Sequence, residues 1–190
     1  EVTDRWMLSR LSHTTREVTA SLERFRLHEA IERSHHFFWG DFADWYLELV
    51  KGRLRGEEGE ASRQAARSVL VHVFDGVLRL LHPVIPFVTE YLWDRIPWPE
   101  GQTRPESLLV APWPEPHPEW EDGEAEVALL GFQEIVTAVR RLRKEYGVGE
   151  GAAVTVVLSG IPPARRQAVE GQQGSLEQLA KVTEGVYGDP

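Results

Sequence analysis

His28, Glu32 and His36 recur at i, i+4 and i+8, a spacing that sets three potential metal ligands on one face of a helix. His35 and His36 cannot share an ion, because neighbouring helical residues point about 100° apart. An ordinary helix surface carries the same pattern, so no metal ligand is assigned. Asp44 and Glu48 form an i, i+4 carboxylate pair of the kind that can move protons, and Asp41 and Trp45 have the same spacing; a solvated helix face accounts for them equally well. The glycines of Gly147-Val148-Gly149-Glu150-Gly151 precede a strand pattern instead of linking strand to helix, so they read as a turn and not as a phosphate loop. There is no Ser-His-Asp set and no nucleophile elbow. No residue is assigned a catalytic role.

The cationic residues offer more. Arg5, Arg16 and Arg26, then Lys51, Arg53 and Arg55, then Arg63 and Arg67 fall near helix ends or interhelix links. Helix ends gathered at one pole of a bundle can form a basic rim for a nucleic-acid loop. Arg140, Arg141, Arg143 and Lys144 make a second cluster on one helix. Taken singly, each also fits a solvated surface. Arginine outnumbers lysine eighteen to three, which suits bidentate phosphate contacts but is equally the bias of a GC-rich genome.

The elements that must position these groups are mostly helical. Trp6, Leu11, Thr15, Val18 and Leu22 give residues 4–24 a helical period, with Thr3 or Asp4 as cap. Residues 27–51 read as a second helix with Leu27, Ile31, Phe38, Phe42, Trp45 and Leu49 on one face. Gly40 costs that helix about 1 kcal/mol relative to Ala and is read as admitting a close neighbour. A third helix over 61–81 turns Ala65, Val69, Val73, Val77 and Leu81 inward. Pro83 then starts a fourth, 84–96, offering Phe87, Tyr91 and Trp93. Trp6, Phe38, Phe42, Trp45, Leu81, Phe87 and Trp93 are assigned to the core. Trp39, off the main stripe, is either core at a second interface or an exposed stacking platform, and is read as core.

Seven prolines between Pro97 and Pro118 exclude regular structure there, and Trp98, Trp113 and Trp120 lie among them. The reading is an ordered linker that packs its tryptophans on the bundle, with a polyproline ligand as the lesser alternative. A fifth helix, 124–146, is apolar at Val127, Leu130, Ile135, Val139 and Leu142 and ends at Gly147. A strand at 152–158 follows, then helical text at 162–170 and 175–183. One strand cannot stand alone, so either 184–188 pairs with it or the unit is cut short. The expected fold is mainly α: an antiparallel helical bundle followed by a small α/β unit. The expected domains are a bundle at 1–96, a linker packed on it at 97–123, and a basic helix with its α/β subdomain at 124–190.

With 190 residues, 42% hydrophobic and 27% charged, the composition is that of a globular protein. No apolar run approaches the roughly 20 residues that span a bilayer. The acidic, polar N-terminus is not a signal peptide, and the absence of cysteine excludes disulfides and thiolate metal sites. A cytoplasmic location is expected. The net charge of −9 argues against a nucleic-acid partner until its distribution is considered. Residues 1–55 are neutral, 100–134 carry a net −8, and 135–149 a net +3. Phosphate binding follows the local field.

Two segments carry a resemblance. Phe42-Ala43-Asp44-Trp45-Tyr46-Leu47-Glu48-Leu49-Val50-Lys51 is similar to the valine-specific form of a motif in class I aminoacyl-tRNA synthetases. Leu81-His82-Pro83-Val84-Ile85-Pro86-Phe87-Val88-Thr89-Glu90-Tyr91-Leu92-Trp93 is shared by the wider valine, isoleucine and leucine group. Asp4-Arg5-Trp6-Met7-Leu8-Ser9-Arg10-Leu11, Trp113-Pro114 and the Ala138–Tyr146 helix fit the same order. The chain therefore resembles the anticodon-binding region of valyl-tRNA synthetases, strongly over 4–146 and loosely over 152–190.

The resemblance implies a part of an enzyme that joins valine to its tRNA using ATP and Mg, with no cofactor in this segment. It implies a grip on the anticodon stem-loop of tRNA(Val), and docking of the enzyme's own catalytic and editing domains. The family's two ATP-site signatures, its editing domain, a helix upstream of Asp4 and the final coiled coil are absent, so an excised piece is expected. The residues assigned to the tRNA are Arg5, Arg16, Lys51, Arg53, Arg63 and Arg67. Arg140, Arg143 and Lys144 are assigned to the tRNA backbone or to the missing domains. An isoleucine enzyme, or a helical protein-interaction module that binds through its acidic Pro/Trp linker, is the alternative.

Overall fold

Proline-free, helix-forming text runs from Val2 to Leu81 and folds into successive helices joined by short turns. The structure is a computed structural model and describes residues 1–98, 103–149, 151–160 and 173–188. The helical text at 162–170 and the linker residues 99–102 lie outside them. The chain divides into two compact units, Glu1–Asp122 and Gly123–Pro190. The architecture is mainly α with a small two-stranded α/β unit, as expected. Among the described residues no helix is long and apolar enough to cross a membrane.

In the first unit, α1 (Val2–Glu23) buries Trp6, Met7, Leu11, Thr15 and Val18. Helix α2 (Leu27–His36) continues as a π-helical stretch, Phe37–Tyr46, and a last α-turn, Leu47–Leu49. Helix α3 (Lys51–Arg55) ends at Gly56, whose φ of 86° only glycine adopts without strain. Helices α4 (Glu60–Leu81) and α5 (Pro86–Trp93) follow, with Pro86, not Pro83, at the start of α5.

The π-helical stretch explains why the expected stripe of the second helix was misplaced. Its bonds reach one residue further back, as from the Leu47 N–H to the Phe42 carbonyl. The buried series runs Ala30, Ser34, Phe37, Phe42, Tyr46, with a five-residue step across the wider turn. Leu27 and Ile31 are consequently exposed, and Phe38 and Trp45 only half-buried. Trp39, read as core, is 53% exposed. Phe87, also read as core, is almost wholly exposed, while Trp6, Phe42 and Trp93 are buried as expected. Gly40 admits no neighbouring element: a Cβ there would meet only the His36 ring, at 3.5 Å. The close approach is at Gly76 of α4, where a Cβ would stand 3.2 Å from Leu11 Cδ1 of α1.

The proline-rich segment up to Asp122 is a strap on the first unit. Trp98 packs edge-on against Trp93, with ring centroids 5.6 Å apart, in a cluster with Leu78, Ile96 and Leu108. The small hydroxyl residues of α1 receive strap N–H groups. Trp113 Nε1 donates to Thr19 Oγ1, the His117 amide to Ser12 Oγ and the Asp122 amide to Ser9 Oγ, each at 2.9 Å. Trp120 stacks on His117 and meets His72 edge-on. Burial holds the His72 imidazole below its ordinary value, against the pull of Asp75, so it is neutral beside the two rings.

In the second unit, α6 (Gly123–Glu145) closes on a Schellman cap. Gly147, at φ 63°, donates to the Lys144 carbonyl, and the Val148 amide donates to that of Arg143. The buried face of α6 is Ala125, Leu129, Phe132, Val136 and Val139. Of the expected stripe only Val139 is buried, and Val127, Leu130 and Leu142 are exposed. Both stripes have a helical period, so periodicity alone could not separate them. Strand β1 (Val154–Ser159) pairs in parallel with β2 (Val182–Gly188), with Val157 opposite Val186. Helix α7 (Gln173–Ala180) lies in the crossover between them, as parallel strands require. Of the two alternatives, the partner strand at 184–188 is present, and it begins earlier, at Val182, inside text read as helix.

One buried ion pair ties the first unit together. Arg53 of α3 is 2% exposed, and its Nη1 and Nη2 donate to Asp4 Oδ1 and Oδ2 of α1 at 2.9 and 2.8 Å. Arg53 Nε donates to Ser62 Oγ of α4 at 2.8 Å, and the Tyr46 hydroxyl donates to Asp4 Oδ1 at 2.8 Å. Burial pushes the Asp4 carboxyl up, but the bonds from Arg53 and Tyr46 and the Arg53 charge outweigh it and hold the group below the ordinary range. Burial and the Asp4 charge push the Tyr46 hydroxyl far up, so it stays protonated as a donor.

Two outcomes follow for stability. Asp4→Asn leaves the buried guanidinium with only the part-exposed Glu1 carboxylate, 3.1 Å from its Nε, as counter-charge, and lowers the unfolding free energy by about 3 kcal/mol in urea titrations. Because the folded-state carboxyl of Asp4 is depressed, its contribution is complete above the ordinary value of 3.8 and disappears as pH falls through the lowered one. The native chain loses this component in that acid window, and Asp4→Asn shows no such loss. Gly76→Val forces methyl groups against Leu11 and costs about 1–3 kcal/mol, read as a Tm several degrees lower. Gly76→Ala is near neutral, since about 1 kcal/mol of helix propensity offsets the tight contact.

Candidate nucleic-acid interface

The cations singled out in the sequence meet four different fates. Arg53 belongs to the interior: its guanidinium is enclosed by Asp4 and Ser62 and presents no face to a phosphate. Arg143 is buried likewise, with Nη2 donating to the Gly149 carbonyl at 2.6 Å as part of the end of α6. Both expectations are corrected by burial, which a helical net drawn from sequence alone did not anticipate for arginine.

Arg5 and Arg16 remain on the surface of α1 but face the strap. Arg5 Nη1 bonds Asp122 Oδ2 at 2.8 Å, and Arg16 pairs with Glu121. His13 Nε2 lies 3.1 Å from the same Glu121 carboxylate. The acidic run that drew attention in the sequence is here a fastener, laid over the cations of α1. Lys51 pairs with Glu48 and Arg63 with Glu60, each within one helical turn and partly exposed. Such surface pairs contribute little and exchange readily for another anion.

Arg67 is exposed on α4 with no ion pair among the described residues. In the second unit, Arg140 Nε donates to the Leu179 carbonyl of α7 at 3.0 Å. Arg141 and Lys144 stand exposed on α6. Arg24, at the end of α1, is an exposed cation absent from the expected set. Its signal in the sequence was its place in a helix-terminating turn.

Trp39 adds an aromatic surface. Its ring meets Phe38 edge-on at 5.2 Å and tilts against His35 at 6.3 Å, which fixes the indole from one side and leaves the other to solvent. A flat ring of this kind can stack an unpaired base whatever its identity. The cleft between α1 and α2 is no anion cradle, because Arg10 there is paired with Asp41 and Arg33 with Glu17. His28 and Glu32 approach to 3.9 Å, both in solvent. Among the described residues no three His, Asp or Glu side chains gather as metal ligands.

Comparison with known proteins matches this arrangement to one family. The model of the anticodon-binding domain of tRNA ligases matches residues 4–158. The valine–tRNA ligase of Enterococcus faecalis is 41% identical over 157 residues, covering 83% of this chain and 17% of that protein. That of Thermotoga maritima is 37% identical over 182 residues, covering 95% and 20%. That of Agrobacterium fabrum is 35% identical over 186 residues, covering 98% and 19%. The chain thus spans about a fifth of the length of these relatives. By the match over 4–158, which takes in all but the first three residues of the helical unit, the chain belongs to the family of anticodon-binding domains of tRNA ligases.

Proposed function

We propose that this chain is the anticodon-recognition segment of a cytoplasmic valine–tRNA ligase, the enzyme that joins valine to tRNA(Val) at the expense of ATP. The observation that carries the reading is the extent of likeness to valine–tRNA ligases, up to 98% of the chain. The segment supplies no catalytic group. Its part is to hold the anticodon stem-loop while ATP and Mg act elsewhere in the enzyme.

The chemistry of its surface supports that role. Arg67 on the first unit and Arg141 and Lys144 on the second are exposed and suited to phosphates. Arg140 is exposed as well, its Nε bonded to the Leu179 carbonyl. Lys51 and Arg63 can exchange their carboxylate partners for phosphate at small cost, because those pairs are solvated. Arg5 and Arg16 join the surface only if the strap releases them. Loop bases are read by splaying and stacking, for which Trp39 offers its exposed ring.

The test is binding of the 190-residue chain to a tRNA(Val) transcript from 50 to 200 mM salt, beside the same transcript with an isoleucine anticodon. A preference for the valine anticodon, with affinity falling steeply as salt rises, is the expected result. Equal binding of both transcripts would remove anticodon reading from the segment. Arg67→Gln and Lys144→Gln should each weaken binding about uniformly and flatten the log–log salt slope by roughly 0.7–0.9. Trp39→Ala should cost roughly 1–3 kcal/mol with the slope unchanged.

A further inference from the structure

We propose that one end of the Glu1–Asp122 unit, formed by the α1–α2 turn and residues 82–91, is the surface on which the unit seats against the remainder of the ligase polypeptide. The proposal rests on the reading just given. Val18, Leu22, Ala30 and Leu80 pack in one cluster. The last turns of α1 and α4 and the first turn of α2 therefore share an end of the bundle. Phe25 and Leu27 lie in the turn between α1 and α2, and residues 82–91 leave the end of α4, so both segments sit at that end.

The end is apolar and bare. Phe25 is 90% and Phe87 91% exposed, and Leu27, Ile85, Val88 and Tyr91 are exposed with them. A concentration of this kind on a soluble domain marks an interaction site, whereas singly scattered apolar residues do not. The Phe25 and Phe87 rings bury almost none of their surface in the unit itself. Phe25 even occupies the left-handed position, φ 56°, of a Schellman cap, with its amide on the Leu22 carbonyl and that of Arg26 on the Ser21 carbonyl. Glycine serves that position better. A bulky ring there is strained and solvent-facing at once, which points to a use outside the fold.

The surface is also held rigid. His82 is buried, and its Nδ1 lies 2.8 Å from Thr89 Oγ1. The Thr89 hydroxyl donates to the carbonyls of Ile85 and Pro86 at 2.9 and 3.0 Å, so Nδ1 is the donor to Thr89. Nε2 is a buried polar atom with no partner among the described residues. Pro83 and Pro86 fix their own φ angles. Side chains on such a backbone lose little entropy when they are covered, the condition that favours anchor residues.

The charge pattern selects a protein and not an RNA. Glu90 is the only ionised side chain from 82 to 93, and it turns to the strap, accepting from the Leu108 amide at 3.1 Å. Arg24 and Arg26 flank Phe25 in the turn, Arg26 paired with Glu29, and the Arg95 guanidinium lies over the Tyr91 ring at 3.5 Å. A surface dominated by exposed apolar side chains, with few charges among them, fits a protein interface, whereas an RNA site depends on a concentration of cations. The occupant follows from length. The valine–tRNA ligases that match this chain carry about four-fifths of their residues outside the matching segment. That is ample protein to cover an end of the bundle.

The chain has no cysteine, so Phe87→Cys introduces a single thiol on this surface. Its maleimide labelling is followed by peptide mass spectrometry in the 190-residue chain and in an intact ligase that contains it. The expected result is labelling at least tenfold slower in the intact ligase. Equal rates overturn the proposal. So does protection already present in the 190-residue chain together with a concentration-dependent dimer in sedimentation, which would name a second copy as occupant. Phe87→Ser is the companion variant. It should leave the Tm and tRNA affinity of the 190-residue chain unchanged while lowering the Tm of the intact ligase. Loss of tRNA affinity in the short chain would instead make the surface an RNA site and overturn the proposal. If the unsubstituted chain binds tRNA but labelling is equal, docking alone fails. If the unsubstituted chain binds no tRNA, the anticodon reading fails, and docking with it.

Discussion

The Asp4–Arg53 pair is the constraint on which the first unit depends. It joins the start of α1 to α3, and through Ser62 and Tyr46 it reaches α4 and the end of the π-helical stretch. Two charges taken out of water are costly unless every lone pair and proton finds a partner. Here Asp4 accepts from two guanidinium nitrogens and a phenol, and Arg53 has Ser62 as well. The geometry leaves little freedom in how these four segments meet. The register of the helices along one another is therefore set at this end of the unit by polar chemistry, while apolar packing of Val18, Ala30 and Leu80 closes the other.

That division has a functional counterpart. The polar end consumes a cation that would otherwise be a phosphate ligand, and the strap consumes two more on α1. What remains for an anionic partner is a sparser set than the composition suggests, on α4 and α6. The net charge of −9 is consistent with this. The acidic strap neutralises part of the bundle, and the field that an RNA meets is decided by which arginines stay unpaired, not by their number.

The π-helical stretch shows how local geometry redirects a surface. One wider turn rotates every following side chain relative to an α-helix. It brings Phe42 and Tyr46 inward, stacks Phe42 on Phe74 of α4 with ring centroids 6.1 Å apart, and leaves Trp39 facing solvent. A stretch that reads as uniformly buried aromatic helix thus becomes a core on one side and a stacking surface on the other.

Sequence by itself determined the helical elements, the strap and the family. Those follow from local causes: hydrophobic period, proline's missing N–H, glycine at caps, and two motifs long enough to be specific. It also placed Trp6, Phe42 and Trp93 in the core, as the structure does. Tertiary structure alone decided which stripe of α6 packs, that Arg53 and Arg143 are interior, that Arg5 and Arg16 are pinned by Asp122 and Glu121, and that Phe87 is bare. The physical reason is plainest for Arg53, Arg5 and Arg16. A side chain's burial and its ionic partner depend on residues tens to more than a hundred positions away, such as Asp4 for Arg53 and Asp122 for Arg5. One-dimensional periodicity holds no information about those distances.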